Sequence, residues 1–320
     1  MIGNRSALLL DDLVQPFQIE SMAAQGRFVR LGKSVDNVLT AHDYPESVAA
    51  LLGEAQALAG LLAGAFKYDG VLTVQVKGDG PVTLLVADVT SDGAMRGYAQ
   101  YDADRVRALE ASGPDAVSAA PVARLLGSGY LAFTVDQGAE HQRYQGIVEL
   151  EGTTLADCAH AYLHRSVQMD AAINLAVGRV PAGPGGETWR AGGLMVQRMA
   201  DGGRLQRQSG EARDSLDDDA WRRAVVLMKS CSRDELLDQR LNPDDLLFRL
   251  FHEDGVRVFE PSSVEMRCRC SRARVENVLR SFPRTEIESM KVEDRVVVTC
   301  EFCNAEYGFD DDQLERLYRD

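Results

Sequence analysis

The spacing of hydrophobic residues divides the 320-residue chain into a strand-rich first part and a helical later part. Alternating apolar and polar residues are typical of strands with one buried face. Two such runs flank Gly78-Asp79-Gly80-Pro81 and predict a hairpin, because Asp-Gly and Gly-Pro pairs favour turns. The predicted strands cover residues 17–19, 27–31, 71–76, 82–87, 95–101, 131–135, 145–150 and 191–199. They do not alternate regularly with helices, so we expect a mainly antiparallel sheet.

Two helices are predicted within this first part. The apolar run at residues 48–66 contains Glu54 and Gln56, which favours a buried helix over a membrane span. A second helix is predicted to begin at Thr154, where Asp157 completes a capping box, and to end at Gly178. Its apolar residues recur at steps of three and four: Leu155, Cys158, Ala159, Tyr162, Met169, Ile173 and Ala176. Cys158 lies on this stripe and is predicted to be a core residue.

Near residue 211 the composition changes, and charged residues are interspersed with large apolar ones. Ser215 followed by aspartates, and Asn242 followed by Pro243, are typical of helix starts. These helices have no obvious core of their own, so we expect them to dock on another part of the chain. The predicted α+β protein has a core domain at 1–212, where helices pack on the sheet, a helical linker at 213–262 and a small C-terminal domain at 263–320.

Four of the six cysteines form two close pairs near the end of the chain, Cys268 with Cys270 and Cys300 with Cys303. Two thiol pairs separated by 29 residues are typical of a tetrahedral Zn²⁺ site, which predicts one ion per chain. Residues 263–320 are few for an independent core, so the metal would contribute much of the folding free energy. Cys231 stands alone and is predicted to be a structural or incidental thiol.

The predicted metal site is closed, because four thiolates leave no position for water or substrate. A structural role or a redox role remains, since thiolates are the form that peroxide and hypochlorite attack. Of the scattered histidines, His160 and His164 would share a helix face but lack an evident third ligand. Gly32-Lys33-Ser34 lacks the glycine spacing of a phosphate loop. The chain is therefore predicted not to be an enzyme.

The net charge of −14 argues against a nucleic-acid partner and against attachment to an anionic membrane, since both need cationic contacts. The apolar residues 7–10 are followed at once by Asp11 and Asp12, which is not the pattern of a secretory signal. We therefore expect a cytoplasmic protein whose clustered cysteines are reduced thiols.

Several segments resemble the heat-shock protein 33 family, the redox-regulated bacterial chaperones. They are residues 26–31, 42–45, 51–55, 78–82, 96–98 and 191–194, with Cys268-Arg269-Cys270-Ser271 and Cys300-Glu301-Phe302-Cys303. The resemblance covers nearly the full length. Its most specific motif is the order Cys-x-Cys and then Cys-x-x-Cys, C-terminal to such a domain.

This resemblance implies an ATP-independent holdase that binds zinc and is inactive when reduced. Oxidation would pair Cys268 with Cys270 and Cys300 with Cys303, release the zinc, unfold the small domain and free the linker. The protein, often as a homodimer, would then bind unfolding client proteins and prevent their aggregation. Two other functions stay open, a zinc-ribbon regulatory binding module and a thiol–disulfide oxidoreductase that uses Cys300 and Cys303.

Overall fold

A computed structural model describes residues 11–65, 68–113, 117, 120–138, 142–183, 185–199 and 211–319. The chain divides into two compact units, Met1–Met266 and Arg267–Asp320. The predicted α+β class is confirmed, because both units combine helices with mainly antiparallel strands. The predicted boundaries of the linker stay predictions. Residues 256–266 pair with strands of the first unit and are described with it.

The first unit contains all the strands predicted for it, with bounds that differ by a few residues. Its strands are β1 (Leu13–Ile19), β2 (Ala24–Leu31), β3 (Val71–Gly78), β4 (Val82–Thr90), β5 (Ala94–Tyr101), β6 (Gly129–Asp136), β7 (Tyr144–Glu149), β8 (Ala171–Pro181), β9 (Glu187–Arg198), β10 (Val256–Val258), β11 (Ser262–Ser263) and β12 (Glu265–Met266). Its helices are α1 (Lys33–Thr40), α2 (Glu46–Ala63), α3 (Ala103–Glu110), α4 (Leu155–Arg165), α5 (Glu211–Lys229), α6 (Arg233–Leu237) and α7 (Pro243–Phe251).

These strands form two sheets. The first has the order β10-β1-β2-β9-β8, and β11 also pairs with β1. The second has the order β12-β5-β4-β3-β6-β7. Among the described pairs, only the short β12 runs parallel to its neighbour, β5. The antiparallel prediction is confirmed, with the strands shared between two sheets.

Helix α2 is the centre of the main hydrophobic core. It contacts strands of both sheets, and apolar side chains around most of its circumference are buried. Of the helices in the described part of the chain, α2 alone is long and apolar enough to cross a membrane, and 72% of that stretch is buried. The predicted buried helix is therefore confirmed; its predicted end at residue 66 lies outside the described residues.

Helices α5, α6 and α7 pack on the first sheet and form a second core with it. Phe251 of α7 stacks on Phe17 of β1, with ring centroids 5.6 Å apart. The other buried members from this helical segment are Ala224, Met228, Cys231, Leu236, Leu237, Leu246, Leu247 and Leu250. They share the core with Phe28 and Leu194 of the sheet. The expectation that these helices dock on another part of the chain is confirmed.

Two buried arginines of the first sheet hold the chain at the end of α6. The Arg30 guanidinium is fully buried and donates a hydrogen bond of 2.6 Å to the carbonyl oxygen of Leu241. Arg190 donates to the carbonyl oxygen of Leu237 at 2.9 Å and binds the Asp11 carboxylate through two nitrogens at 2.6 and 2.7 Å. Burial, and then the charge of Arg190, lower the pKa of Arg30 to about 10, so it stays charged at neutral pH.

The predicted helix from Thr154 to Gly178 is wrong in its second half. The Thr154–Asp157 capping box is present, but α4 ends at Arg165 and residues 171–181 form strand β8. In this strand, Ala171, Ile173 and Val177 belong to the main core, whereas Ala172 and Ala176 belong to the second core. In a strand that is buried on both faces, nearly every residue is apolar. Apolar residues then also occur at steps of three and four, so the pattern resembles that of a helix.

The two helix starts predicted after residue 211 have different outcomes. Asn242 caps α7, because its side chain accepts the Asp244 N–H at 2.9 Å and Pro243 occupies the first turn. Helix α5 begins at Glu211 rather than after Ser215. Residues 211–213, Glu-Ala-Arg, are strong helix formers, so the helix extends upstream of the capping residue.

The second unit is small and has a core of its own. It consists of α8 (Arg272–Arg280), α9 (Arg284–Ser289), a hairpin of β13 (Val296–Thr299) and β14 (Glu306–Phe309), and α10 (Asp311–Arg319). Its buried apolar side chains are Leu279, Ile287, Val296, Phe309, Leu314 and Leu317. A core of this size is a weak basis for independent stability.

Glu54 of α2 makes the stability of the first unit depend on pH. Its Oε2 atom is buried and has no hydrogen-bond partner within the described residues. Burial, and then the charge of Asp157, raise the pKa of Glu54 from 4.5 to about 7. Between these two values the folded state binds more protons than the unfolded state, so the free energy of unfolding falls as the pH rises.

We expect Glu54→Gln to remove this decline and to raise the free energy of unfolding at pH 8, relative to pH 4.5, by up to about 3 kcal/mol. Urea denaturation at the two pH values measures the difference. Glu46→Gln, at an exposed position of the same helix, is the control and should leave the pH dependence as it is. The same pH dependence in Glu54→Gln as in the original chain would contradict the assignment.

Candidate metal centre

Two loops of the second unit bring the four predicted ligands together. Cys268 and Cys270 precede α8, whose N-cap residue Ser271 accepts a hydrogen bond from the backbone of the first turn. Cys300 and Cys303 lie in the turn between β13 and β14. The pairing of the hairpin and the cap of α8 therefore position the two halves of the site.

The four sulfur atoms have the spacing of one tetrahedral ligand set. All four Sγ atoms lie within 4.8 Å of one another. The Sγ of Cys268 is 3.7 Å from that of Cys300, and the Sγ of Cys270 is 3.5 Å from that of Cys303. A tetrahedron with Zn–S bonds of about 2.3 Å has S···S edges of about 3.8 Å. The residues therefore fit a single ion that prefers sulfur ligands.

Backbone amides orient the sulfurs. In three cases a sulfur accepts a hydrogen bond from the amide two residues further along the chain: Cys268 from Cys270, Cys300 from Phe302, and Cys303 from Ala305. The second loop is closed by Asn304, whose N–H donates to the Cys300 carbonyl oxygen at 2.8 Å. Asn304 has a φ of +56°, a left-handed conformation that asparagine tolerates. This turn lets both sulfurs of the second pair face the first pair.

The pKa values of the thiols differ within the cluster. Partial burial disfavours the Cys268 thiolate, but hydrogen bonds from the Cys270 amide and from neighbouring thiols lower its pKa to about 7. Burial, and then hydrogen bonds to neighbouring thiols, raise the pKa of Cys303 to about 12, and burial raises that of Cys300. Four adjacent thiolates repel one another, so a divalent cation would supply the positive charge that lets all four ionise.

Tyr307 contacts the cysteine cluster, and the sequence did not reveal this contact. Its hydroxyl donates a hydrogen bond of 3.1 Å to the Cys270 sulfur, and this bond, followed by burial, raises the pKa of the phenol to about 12. Its only sequence signal is its position on the strand that leaves the second pair. Arg272, next to the first pair in sequence, instead lies over the Phe309 ring at 4.3 Å and 3.3 Å from the Glu276 carboxylate.

The remaining candidates lie outside this site. Cys158 and Cys231 are buried in the first unit, and burial raises the pKa of each thiol to about 11. The core position predicted for Cys158 is therefore confirmed. His160 and His164 hydrogen-bond to residues at the start of the neighbouring strand, so they do not converge on a ligand. Within the described residues, the cysteine cluster is the one group of three or more potential metal ligands.

The backbone of the Gly32–Ser34 segment already binds a carboxylate of the same chain, that of Asp12. The Oδ1 atom of Asp12 accepts hydrogen bonds from the Gly32 N–H at 2.8 Å and the Ser34 N–H at 3.0 Å. A carboxylate therefore occupies the position that a phosphate would need, which agrees with the rejection of a nucleotide site.

Comparisons with known proteins agree with this arrangement. The family model described as Hsp33 protein matches residues 12–310. This chain belongs to the Hsp33 family. The 33 kDa chaperonin of Caulobacter vibrioides is 42% identical over 304 residues, covering 94% of this chain and 96% of that relative. The 33 kDa chaperonin of Pseudomonas fluorescens is 36% identical over 310 residues, covering 96% of this chain and 93% of that relative.

A solved Hsp33 homolog has the same fold. The crystal structure of the 33 kDa chaperonin from Thermotoga maritima superposes with a TM-score of 0.75 at 23% identity, covering 96% of this chain and 98% of that one. Hsp33 proteins are chaperones and not enzymes, so the predictions of a chaperone role and of no enzymatic activity are confirmed. The four clustered cysteines fit redox-regulated zinc binding in such a chaperone.

The contact between Tyr307 and Cys270 predicts a contribution to metal affinity. Tyr307→Phe removes the hydrogen bond to the sulfur, and we expect the affinity for Zn²⁺ to fall about tenfold, as with other groups that support a ligand. Competition with a chromophoric chelator measures the affinity. The control is Tyr318→Phe, because the Tyr318 hydroxyl donates to the carbonyl oxygens of Leu279 and Phe282 and not to a cysteine. An equal effect of both substitutions would mean that Tyr307 acts only through the fold.

Proposed function

We propose that this chain is a redox-regulated, ATP-independent holdase whose four clustered cysteines hold one Zn²⁺ in the reduced state. The observation that carries the proposal is that four Sγ atoms lie within 4.8 Å of one another, where two loops of the small unit meet. That unit has only a small apolar core among its described residues, so its fold would depend on the ligands. Membership in the Hsp33 family supports the same function.

In the reduced state the protein would be inactive, because its apolar surface is covered. Helices α5, α6 and α7 bury Phe17, Phe28 and Leu194 of the first sheet in the second core. Unfolding proteins expose apolar segments, and a holdase must offer apolar surface to bind them. The docked helices therefore occupy the surface that a client would use.

Oxidation would remove the ligands. A thiolate attacks a peroxide oxygen to give a sulfenic acid and a hydroxide, which takes up a proton to become water. A second thiol then attacks the sulfenic acid sulfur, which forms a disulfide and releases a second water. Each disulfide thus transfers two electrons to one peroxide molecule, and two peroxide molecules oxidise all four cysteines. The sulfurs then carry no negative charge for a metal ion, and the small unit loses the bonds that close it.

The proposed disulfides are Cys268–Cys270 and Cys300–Cys303. The sulfur distances alone do not select this pairing, because the two short contacts, of 3.7 and 3.5 Å, join one cysteine of each pair. Partners two or three residues apart stay close when the unit unfolds, whereas partners in different loops separate. Unfolding during oxidation therefore favours the local pairs.

Loss of the small unit would release the linker from the first sheet. The freed apolar segments would bind unfolding clients without ATP, and the oxidised protein would assemble as a homodimer. The partners are client proteins in the cytoplasm, with no nucleic acid and no membrane, as the net charge of −14 suggests. Against an oxidoreductase, Cys300 follows a strand and lies in a hairpin turn, not at the helix N-terminus that activates a Cys-x-x-Cys thiol.

The most direct test of this function is to measure bound zinc and suppression of client aggregation before and after peroxide treatment at warm temperature. We expect about one zinc per reduced chain with little suppression, and zinc loss with strong suppression after oxidation. Equal suppression in both states would contradict the switch.

The ligand set has its own test. Cys300→Ser should weaken zinc binding by several orders of magnitude and leave the small unit loosely folded, because one of four thiolates is missing. Metal analysis and near-UV circular dichroism follow the two effects. Cys158→Ala in the first unit is the control and should keep one tightly bound zinc. If Cys300→Ser also keeps stoichiometric, tightly bound zinc, the proposed ligands are wrong.

A further inference from the structure

Residues 256–266 cross from one sheet of the first unit to the other. We call this segment, which contains β10, β11 and β12, the strap. Its first part, β10 and β11, pairs antiparallel with β1 of the first sheet. Its last part, β12, pairs parallel with β5 of the second sheet. Cys268 follows the strap after one residue, so the strap is tied directly to the predicted metal site.

Main-chain hydrogen bonds hold the strap along its length. The N–H of Phe259 donates to the Pro16 carbonyl oxygen at 3.0 Å, and the N–H of Val264 donates to Asp12 at 2.8 Å. On the second sheet, the N–H of Glu265 donates to the Gly93 carbonyl oxygen at 3.0 Å. These bonds do not depend on the identity of the strap side chains. A different extended chain could make them equally well.

At both ends of the strap, apolar residues that face inward alternate with polar residues that face solvent, whereas Phe259 in the middle is exposed. Val256 and Val258 pack on the second core, while Val264 is buried in the main core and Met266 packs against it. A groove of about 640 Å³ lies beside the strap, between the end of α2, β1 and the turn after β4. The site therefore accepts apolar side chains at alternate positions of an extended segment.

Without the strap, β1 and β5 would become edge strands. Among the described strands, β1 pairs on its other side with β2, and β5 with β4. Pro16 lies at a strap-facing position of β1, where its missing N–H costs no bond to β2. Prolines at edges are a common protection against uncontrolled strand pairing. Strand β1 therefore has, on the side that faces the strap, a residue typical of an edge strand.

We infer that the β1 and β5 edges are a binding site for extended segments of unfolding client proteins, which add to the sheets as strands, and that the strap occupies this site in the resting state. The inference rests on the proposed redox switch, because unfolding of the small unit is what would loosen the strap. The tether to the folded unit gives the strap a high effective concentration at the site, so it excludes free chains until that unit unfolds.

The first test uses a fluorescent peptide with the sequence of residues 254–266 and measures its anisotropy with the full-length protein. The oxidised protein should bind the peptide at least about tenfold more tightly than the reduced protein, because the tethered strap no longer competes. A peptide N-methylated at Phe259 and Glu265, two of the residues whose N–H groups bond to the first unit, should lose at least about tenfold in affinity. N-methylation at Val258 is the matched control, since consecutive N–H groups of a strand point to opposite sides.

The second test maps clients on the oxidised protein. A photo-reactive residue replaces Gln18, which pairs with Arg257 of the strap, or Gln145 on β7, at the opposite edge of the second sheet. A denatured client should cross-link from position 18 at least about fivefold more than from position 145, and the peptide should suppress this cross-link. Suppression of client aggregation is measured in the same samples.

The outcomes separate the inference from the proposed function. If oxidation fails to produce aggregation suppression, the redox switch itself is wrong. If suppression is normal but the peptide binds no better than its N-methylated form, or clients cross-link equally from both edges, the edges are not the client site. If the peptide dissociates a dimer without displacing a client, a second copy of the chain occupies the site and the inference is overturned.

Discussion

In the proposed function, the fold of the C-terminal unit depends on the coordination of a metal by four sulfur atoms. Its buried apolar side chains, six among the described residues, offer little burial to offset the entropy lost when the chain is ordered. Binding of Zn²⁺ to a four-sulfur site contributes about 10–16 kcal/mol in small zinc domains, which is comparable to the whole stability of an ordinary domain. In the proposed switch, the state of Cys268, Cys270, Cys300 and Cys303 would therefore determine whether this unit is folded.

The helical structure of the linker depends in turn on packing against the first sheet. Helices α6 and α7 are shorter than the length at which isolated helices are stable, so their structure comes from packing. The stacking of Phe251 on Phe17, and the bonds from Arg30 and Arg190 to carbonyl oxygens near the end of α6, provide that packing. Such a segment can leave the sheet as a group once its connection to the small unit is lost. In the proposed switch, oxidation of the four sulfurs would thereby expose apolar surface of the first sheet.

Local signals in the sequence predicted the cysteine cluster and much of the fold. The cysteine spacing predicted the ligand cluster, and the Asn242–Pro243 start predicted α7, because both depend on residues close in sequence. Strand β8 was missed because it is buried on two faces by partners distant in sequence, so its apolar pattern carries no period of two. Tyr307 and the strap were missed for the same reason. Their roles arise from contacts with Cys270 and with β1 and β5, which no local pattern shows.

Hydrogen–deuterium exchange of the full chain before and after oxidation tests most directly whether the sulfur cluster controls the docking of the linker. We expect oxidation to remove protection from amides of the small unit and of α6, α7 and the strap, while α2 and the central strands of both sheets stay protected. If the small unit loses protection and the linker amides keep theirs, the cluster does not control the linker. That result would contradict the account.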